Sequence, residues 1–214
     1  MNARNLRGVG LPKHMAGLPR DARGYPVPWF CAWVDGKPDF RIADAAKVRL
    51  AVVGSRCWIC GGTLGRYRSF LIGPMGAMNR VNSEPPSHHE CAQYAIRTCP
   101  FLALPKAHRR SANMPEESYD PDGLDPANVA VVIEWVSSTA RVFKGQRSLL
   151  FELGEPDSVQ WFTEGRPATR DEAQHAIEGA AAKLLAMAGG NAVAQEAVRI
   201  RMRTVQSYLP ELDT

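Results

Sequence analysis

The chain has 214 residues, of which 45% are hydrophobic and 22% charged, the composition of a folded globular protein and not of a disordered or fibrous one. A formal net charge of +4 permits nucleic-acid binding without arguing for it, and no run approaches the roughly 18–20 apolar residues that cross a bilayer. Five cysteines are an odd number, and the polar, basic start lacks the apolar core of a secretory signal; together these predict reduced thiols and a cytoplasmic location.

In chain order, a Pro- and Gly-punctuated arm over 10–28 leads to a strand over 29–34. Asp35-Gly36 is a hairpin turn signal, with the return strand over 39–42. Residues 43–53 read as a short helix starting at Ala43 or Asp44. After the Cys57–Cys60 segment, Phe70-Leu71-Ile72 and residues 77–81 read as two short strands around Gly73-Pro74-Met75-Gly76. Ser87 with Glu90 three residues on is a capping-box pattern, Pro85-Pro86 blocks helix before it, and Pro100 ends the helix near Thr98. Strands follow over 129–136, 140–143, 149–153 and 158–162. Thr169 with Glu172 opens a helix bearing Ala173, Ala176, Ile177, Ala180 and Leu184 at helical spacing, and Gly189-Gly190 ends it. Asn191 caps a last helix with the stripe Ala194, Val198, Met202, Val205 and Leu209.

Charge divides the chain. Segment 4–23 carries Arg4, Arg7, Lys13, Arg20 and Arg23 against Asp21; segment 97–110 carries Arg97, Lys106, Arg109 and Arg110 with no acid. An acidic, Pro-rich stretch follows. The predicted organisation is a metal-binding module with a basic arm over 1–110, an acidic linker over 111–127, and an antiparallel sheet with two helices over 128–214.

Chemistry concentrates in Cys57-Trp58-Ile59-Cys60-Gly61-Gly62 and His88-His89-Glu90-Cys91. A C-x-x-C closed by Gly-Gly aims two thiolates at one point, and His88 and Cys91 share a face in the first turn of the later helix. Three sulfurs and one imidazole suit tetrahedral zinc, so the candidate metal ligands are Cys57, Cys60, His88 and Cys91. His89 and Cys99 are alternatives for His88. His89 lies two residues from Cys91 and points away from it, and Cys99 lies about 12 Å further along an intact helix. An iron–sulfur cluster on Cys57, Cys60, Cys91 and Cys99 requires that helix to break. Four protein ligands leave no position for water, which favours a structural ion over a catalytic one.

A cysteine knuckle, a hairpin and a helix whose first turn supplies the last two ligands resemble the treble-clef zinc finger over residues 57–99. The resemblance implies a structural site with Cys57 and Cys60 on the knuckle and His88 and Cys91 on the helix. Leu11-Pro12-Lys13-His14-Met15-Ala16-Gly17-Leu18-Pro19, C-x-x-C-G, P-P-S-H-x-x-C-A and Cys99-Pro100-Phe101-Leu102 also loosely resemble uncharacterised accessory proteins of phages and prophages, which implies no particular activity.

Other chemistries fit less well. Treble-clef nucleases need a histidine in the hairpin, and residues 66–81 contain none. Zinc deaminases place H-x-E before the cysteine pair, whereas His88-His89-Glu90 follows it. The acids of 120–125 lack the ligand order of a calcium loop, and no phosphate loop or nucleophile elbow is present. The expectation is an α+β, non-catalytic zinc-binding protein that recognises a macromolecular partner, protein or nucleic acid. Neither a membrane nor a small-molecule substrate is indicated. The alternatives are a nucleic-acid binder using 4–23 and 97–110, or an enzyme with a cleft between the halves that uses His89 or His175.

Overall fold

The Asp35-Gly36 signal folds as the sequence predicts. Both residues have positive φ, 50° and 73°, the backbone a tight two-residue hairpin turn demands, and they join strand β1 (Cys31–Val34) to β2 (Lys37–Ala43). The structure is a computed structural model and describes residues 9–103, 131–145 and 148–211. The Asp44 side chain accepts from the backbone N–H groups of Ala46 and Lys47 and so caps helix α1 (Ala45–Val53). A 3-10 turn, Lys13–Met15, precedes the hairpin.

Among the described residues the fold is α+β, with small antiparallel sheets and six α-helices. The larger sheet orders β3 (Arg68–Ile72), β5 (Val132–Ser137), β8 (Ser158–Thr163) and β9 (Arg166–Pro167). A second sheet orders β4 (Val81–Asn82), β7 (Leu149–Leu153) and β6 (Ala140–Lys144). Both sheets draw strands from each side of residues 104–130, since β3 pairs with β5 and β4 with β7. The acidic linker expected over 111–127, the calcium-like acids of 120–125 and the distal part of the basic 97–110 segment lie outside the described residues.

Two expectations are corrected. Residues 77–81 are not a strand. Pro74 opens helix α2 (Pro74–Asn79), whose Ala77 and Met78 are buried in the main core, and only Val81–Asn82 pair as strand. Proline's fixed φ suits the first helical position, and burial of the two apolar residues holds the turn. The hairpin of a treble clef is therefore absent from the described residues: β3 and β4 flank a helix and belong to different sheets. Nor does Ser87 form a capping box. It exchanges backbone hydrogen bonds with Ser69 and is extended, so helix α3 (His89–Thr98) starts with His88 at the N-cap and no side-chain cap.

The Thr169–Glu172 capping box does form at the start of α5 (Arg170–Ala188), and Asn191 caps α6 (Ala192–Gln206) by accepting from the Ala194 N–H. Ala173, Ile177, Ala180 and Leu184 of α5 and Val198 and Val205 of α6 pack with Phe70, Ile72, Ile133, Trp135 and Trp161 on one face of the larger sheet. The opposite face carries Val132 and Phe162, which pack on Ile96 of α3. Strand alternation thus divides β5 between two helical layers, and α3, with the short α4 (Pro100–Ala103) after it, belongs to the second.

Candidate metal centre

The knuckle is built by its own backbone. The Cys57 N–H donates to Gly62 O at 2.7 Å and the Gly61 N–H to Cys57 O at 2.8 Å, closing the turn. Gly61 has φ of 75°, and a Cβ there would lie 2.6 Å from the Trp29 ring, so only glycine meets both demands. The turn points Cys57 and Cys60 at the start of α3. The Trp58 N–H donates to Pro86 O at 2.9 Å, and this joins the knuckle to the strand-like segment that leads into the helix.

One donor atom from each of Cys57, Cys60, His88 and Cys91 lies within 4.8 Å of every other, and the four could hold a metal ion. Cys60 Sγ is 3.3 Å and Cys91 Sγ 3.9 Å from His88 Nδ1. Tetrahedral zinc with Zn–S near 2.3 Å and Zn–N near 2.0–2.1 Å separates a sulfur and a nitrogen ligand by roughly 3.5 Å, so this spacing fits such an ion. The His88 Nε2–H donates to Thr63 O at 3.0 Å, which leaves Nδ1 unprotonated toward the sulfurs; a ligating imidazole needs this tautomer. Cys57 Sγ accepts from the backbone N–H of Cys60 at 3.5 Å and of His88 at 3.3 Å, and Cys60 Sγ accepts from the Gly62 N–H at 3.4 Å.

These contacts localise negative charge. Hydrogen bonds from the Cys60 and Cys91 thiols hold the Cys57 thiol far below its ordinary value, and donating to Cys57 pushes those two thiols up. A divalent cation is the natural neutraliser of three sulfurs so placed. Cys31 contrasts with them: burial pushes its thiol up to about 12, and it stands apart as a core residue.

Of the alternative ligands, His89 turns away and takes no part in the cluster; its Nδ1 is 2.9 Å from Glu134 Oε1. Cys99 caps the far end of α3. The site has further supports that spacing does not reveal. His14 stacks on His88 with centroids 4.3 Å apart and rings 13° from parallel, while Met15 beside it is buried with Cys57 and Cys91. Only Pro12 and the Lys-His-Met run after it hint at this turn, and nothing in them specifies the partner. Glu90, freed from the expected capping box, lies 3.5 Å from His14.

The basic residues expected to form a nucleic-acid surface are partly committed elsewhere: Arg23 pairs with Asp21 at 2.8 Å and Arg20 donates to Gly24 O. His175 is exposed on α5. A cleft of about 1000 Å³ opens between the β1–β2 hairpin, the knuckle and α3, and neither His89 nor His175 lines it. Among the described residues no helix is long and apolar enough to cross a membrane. No protein-family model, curated protein or solved structure matches the chain, so the resemblance to phage accessory proteins gains no support.

Proposed function

We propose that Cys57, Cys60, His88 and Cys91 bind one zinc ion as a structural centre, in a non-catalytic protein whose surface recognises a macromolecular partner. The observation that carries the metal reading is the convergence of four donor atoms within 4.8 Å. Soft thiolates with one imidazole favour zinc over hard cations, and four protein donors complete a tetrahedron without water. The treble-clef character of the reading rests on the knuckle and the first turn of α3 alone. A protein partner is favoured over nucleic acid by exposed apolar side chains near the knuckle end of the chain: Trp33 and Val34 on β1, Leu50 and Val53 on α1, and Tyr67.

Metal analysis of the purified protein tests the centre. The expected result is one zinc per chain, and cobalt substitution giving the visible spectrum of a tetrahedral, thiolate-rich site. Cys57→Ser and Cys91→Ser are expected to lose the ion and to lower both folding yield and melting temperature. Zinc-free variants that melt with the unaltered protein would refute the structural role.

A further inference from the structure

Several arginines of this chain are answered by carboxylates. Arg23 pairs with Asp21 at 2.8 Å, and Arg41 with Asp39, Arg141 with Glu152 and Arg166 with Glu172 at 2.6 Å. The stretch from Ala45 to Ser83 differs. It contains no Asp or Glu, yet Arg49, Arg56 and Arg66 are among its basic residues. All three are exposed. Arg56 Nη1 donates to Gly61 O at 3.4 Å, and the Arg66 guanidinium lies 5.6 Å from the centroid of the Tyr67 ring. Among the described residues no carboxylate pairs with any of the three.

The backbone brings the three together beside the knuckle. Arg49, Leu50 and Val53 share the solvent face of α1, opposite the buried Val48 and Ala51. The Gly54 N–H donates to Leu50 O at 2.9 Å and the Arg56 N–H to Ala51 O at 3.0 Å, so the chain folds back against the end of the helix. Arg56 then forms an antiparallel bridge with Thr63, and Arg66 follows three residues later. Apolar side chains stand among the arginines: Leu50 is 56% exposed, Val53 88% and Tyr67 56%. Arginine and tyrosine with uncovered apolar surface is the composition of a protein interface. Phosphate gains nothing from Leu50 or Val53, and Trp58, the nearby indole that could stack on a base, is buried.

We propose that this face docks an acidic segment of a protein partner, its carboxylates meeting Arg49, Arg56 and Arg66 and its apolar side chains covering Leu50, Val53 and Tyr67. The inference rests on the protein-partner reading above and gives that partner its chemistry, because unanswered positive charge is complemented by negative charge. None of the four metal donors belongs to this face, so docking and metal binding are separable.

The probe is a fluorescein-labelled synthetic peptide repeating Glu-Leu-Asp-Ala, titrated into the zinc-loaded, full-length protein and followed by anisotropy. The expected result is saturable binding, weakened about tenfold by Arg49→Glu or Arg66→Glu and several-fold by Leu50→Ser with Val53→Ser. A peptide with Ser in place of Leu is expected to bind several-fold more weakly. Lys183→Glu makes the same change of net charge on the exposed surface of α5 and is expected to leave binding unaltered. Arg66→Gln, which removes the charge without reversing it, serves if a reversal does not fold. Absence of saturable binding would overturn the proposal. So would equal weakening by Lys183→Glu and Arg49→Glu, which would reduce the effect to net charge. Tighter binding of duplex DNA or single-stranded RNA through the same arginines would transfer the face to nucleic acid, and dimerisation abolished by Arg66→Glu would transfer it to a second copy; either overturns the proposal. Zinc is measured on the same samples: a zinc-free protein that still binds the peptide would refute the metal centre and leave this face standing.

Discussion

At Gly61 one residue decides whether the knuckle exists. Its φ of 75° and the 2.6 Å approach of the Trp29 ring act together, because the turn must be left-handed where an aromatic side chain covers it. Gly61→Ala is expected to cost on the order of 3 kcal/mol, from the strained φ and the displaced ring. Chemical denaturation read against zinc content checks this; a variant with unaltered midpoint and full metal would show that the turn has another stable form. Gly62 is constrained differently. A Cβ there would sit 3.4 Å from both Cys60 Sγ and His88 Cε1, an ordinary contact, so Gly62→Ala is the milder control. The four donors could be named from C-x-x-C and H-x-x-C spacing because that periodicity is local. His14 could not, because its ring reaches His88 from a segment more than seventy residues away in the chain, and no local pattern encodes that stacking.

At the scale of elements, hydrogen-bonded caps explain why some helix starts were legible and one was not. Thr169 and Glu172 satisfy each other's backbone N–H groups, and Glu172 also pairs with Arg166 at 2.6 Å. The Arg166 guanidinium, followed by the Thr169 backbone N–H, lowers the Glu172 carboxyl from 4.5 to about 2. A carboxyl depressed on folding stabilises the protein above its ordinary value, and that contribution is lost as pH falls from about 4.5 toward 2. Melting temperatures of the unaltered protein and Glu172→Gln are therefore expected to differ at pH 6 and to converge at the bottom of this window. A constant difference across it would contradict the linkage. Thr169→Ala is expected to cost about 1 kcal/mol through the lost cap. Ser87 and Glu90 present the same pattern, yet the box does not form. Ser87 is committed to Ser69 across a bridge, and the His88 N–H is directed at Cys57 Sγ. A tertiary hydrogen bond and a sulfur acceptor replace the local cap. Pro74 illustrates a related override. The Gly-Pro-Met-Gly run is good turn chemistry, but Ala77 and Met78 gain burial against α5 and α6 only if the turn continues as a helix.

At the scale of the molecule, one buried side chain ties α3, the helix that carries His88 and Cys91, to the main sheet. Glu134 is fully buried on β5, faces α3, and its two oxygens meet His89 Nδ1 and Gln93 Nε2, one turn apart on that helix. Gln93 also donates to Gln160 Oε1 on β8 at 2.9 Å. His88 and Cys91 lie at the end of α3 that this network holds down. Glu134→Ala is expected to lower stability by about 2–3 kcal/mol and to let a chelator strip the metal at lower concentration. A urea midpoint that falls while chelator competition stays unchanged would show that the sheet and the centre are independent. Glu134→Leu, which refills the volume without the polar group, separates packing from hydrogen bonding.

Local features were determined by the sequence alone: the Asp35-Gly36 hairpin, the strands of the second half, the capped and striped terminal helices, and the four residues with metal-ligand spacing. Each arises from a period or a turn chemistry contained within a few residues. Tertiary structure alone decided that β3 and β4 leave each other for strands across residues 104–130, that 74–79 is helical, and that the Ser87 cap is surrendered. Pairing partners and burial depend on groups distant in the chain. Their free energy outweighs the small local preferences from which a sequence is read.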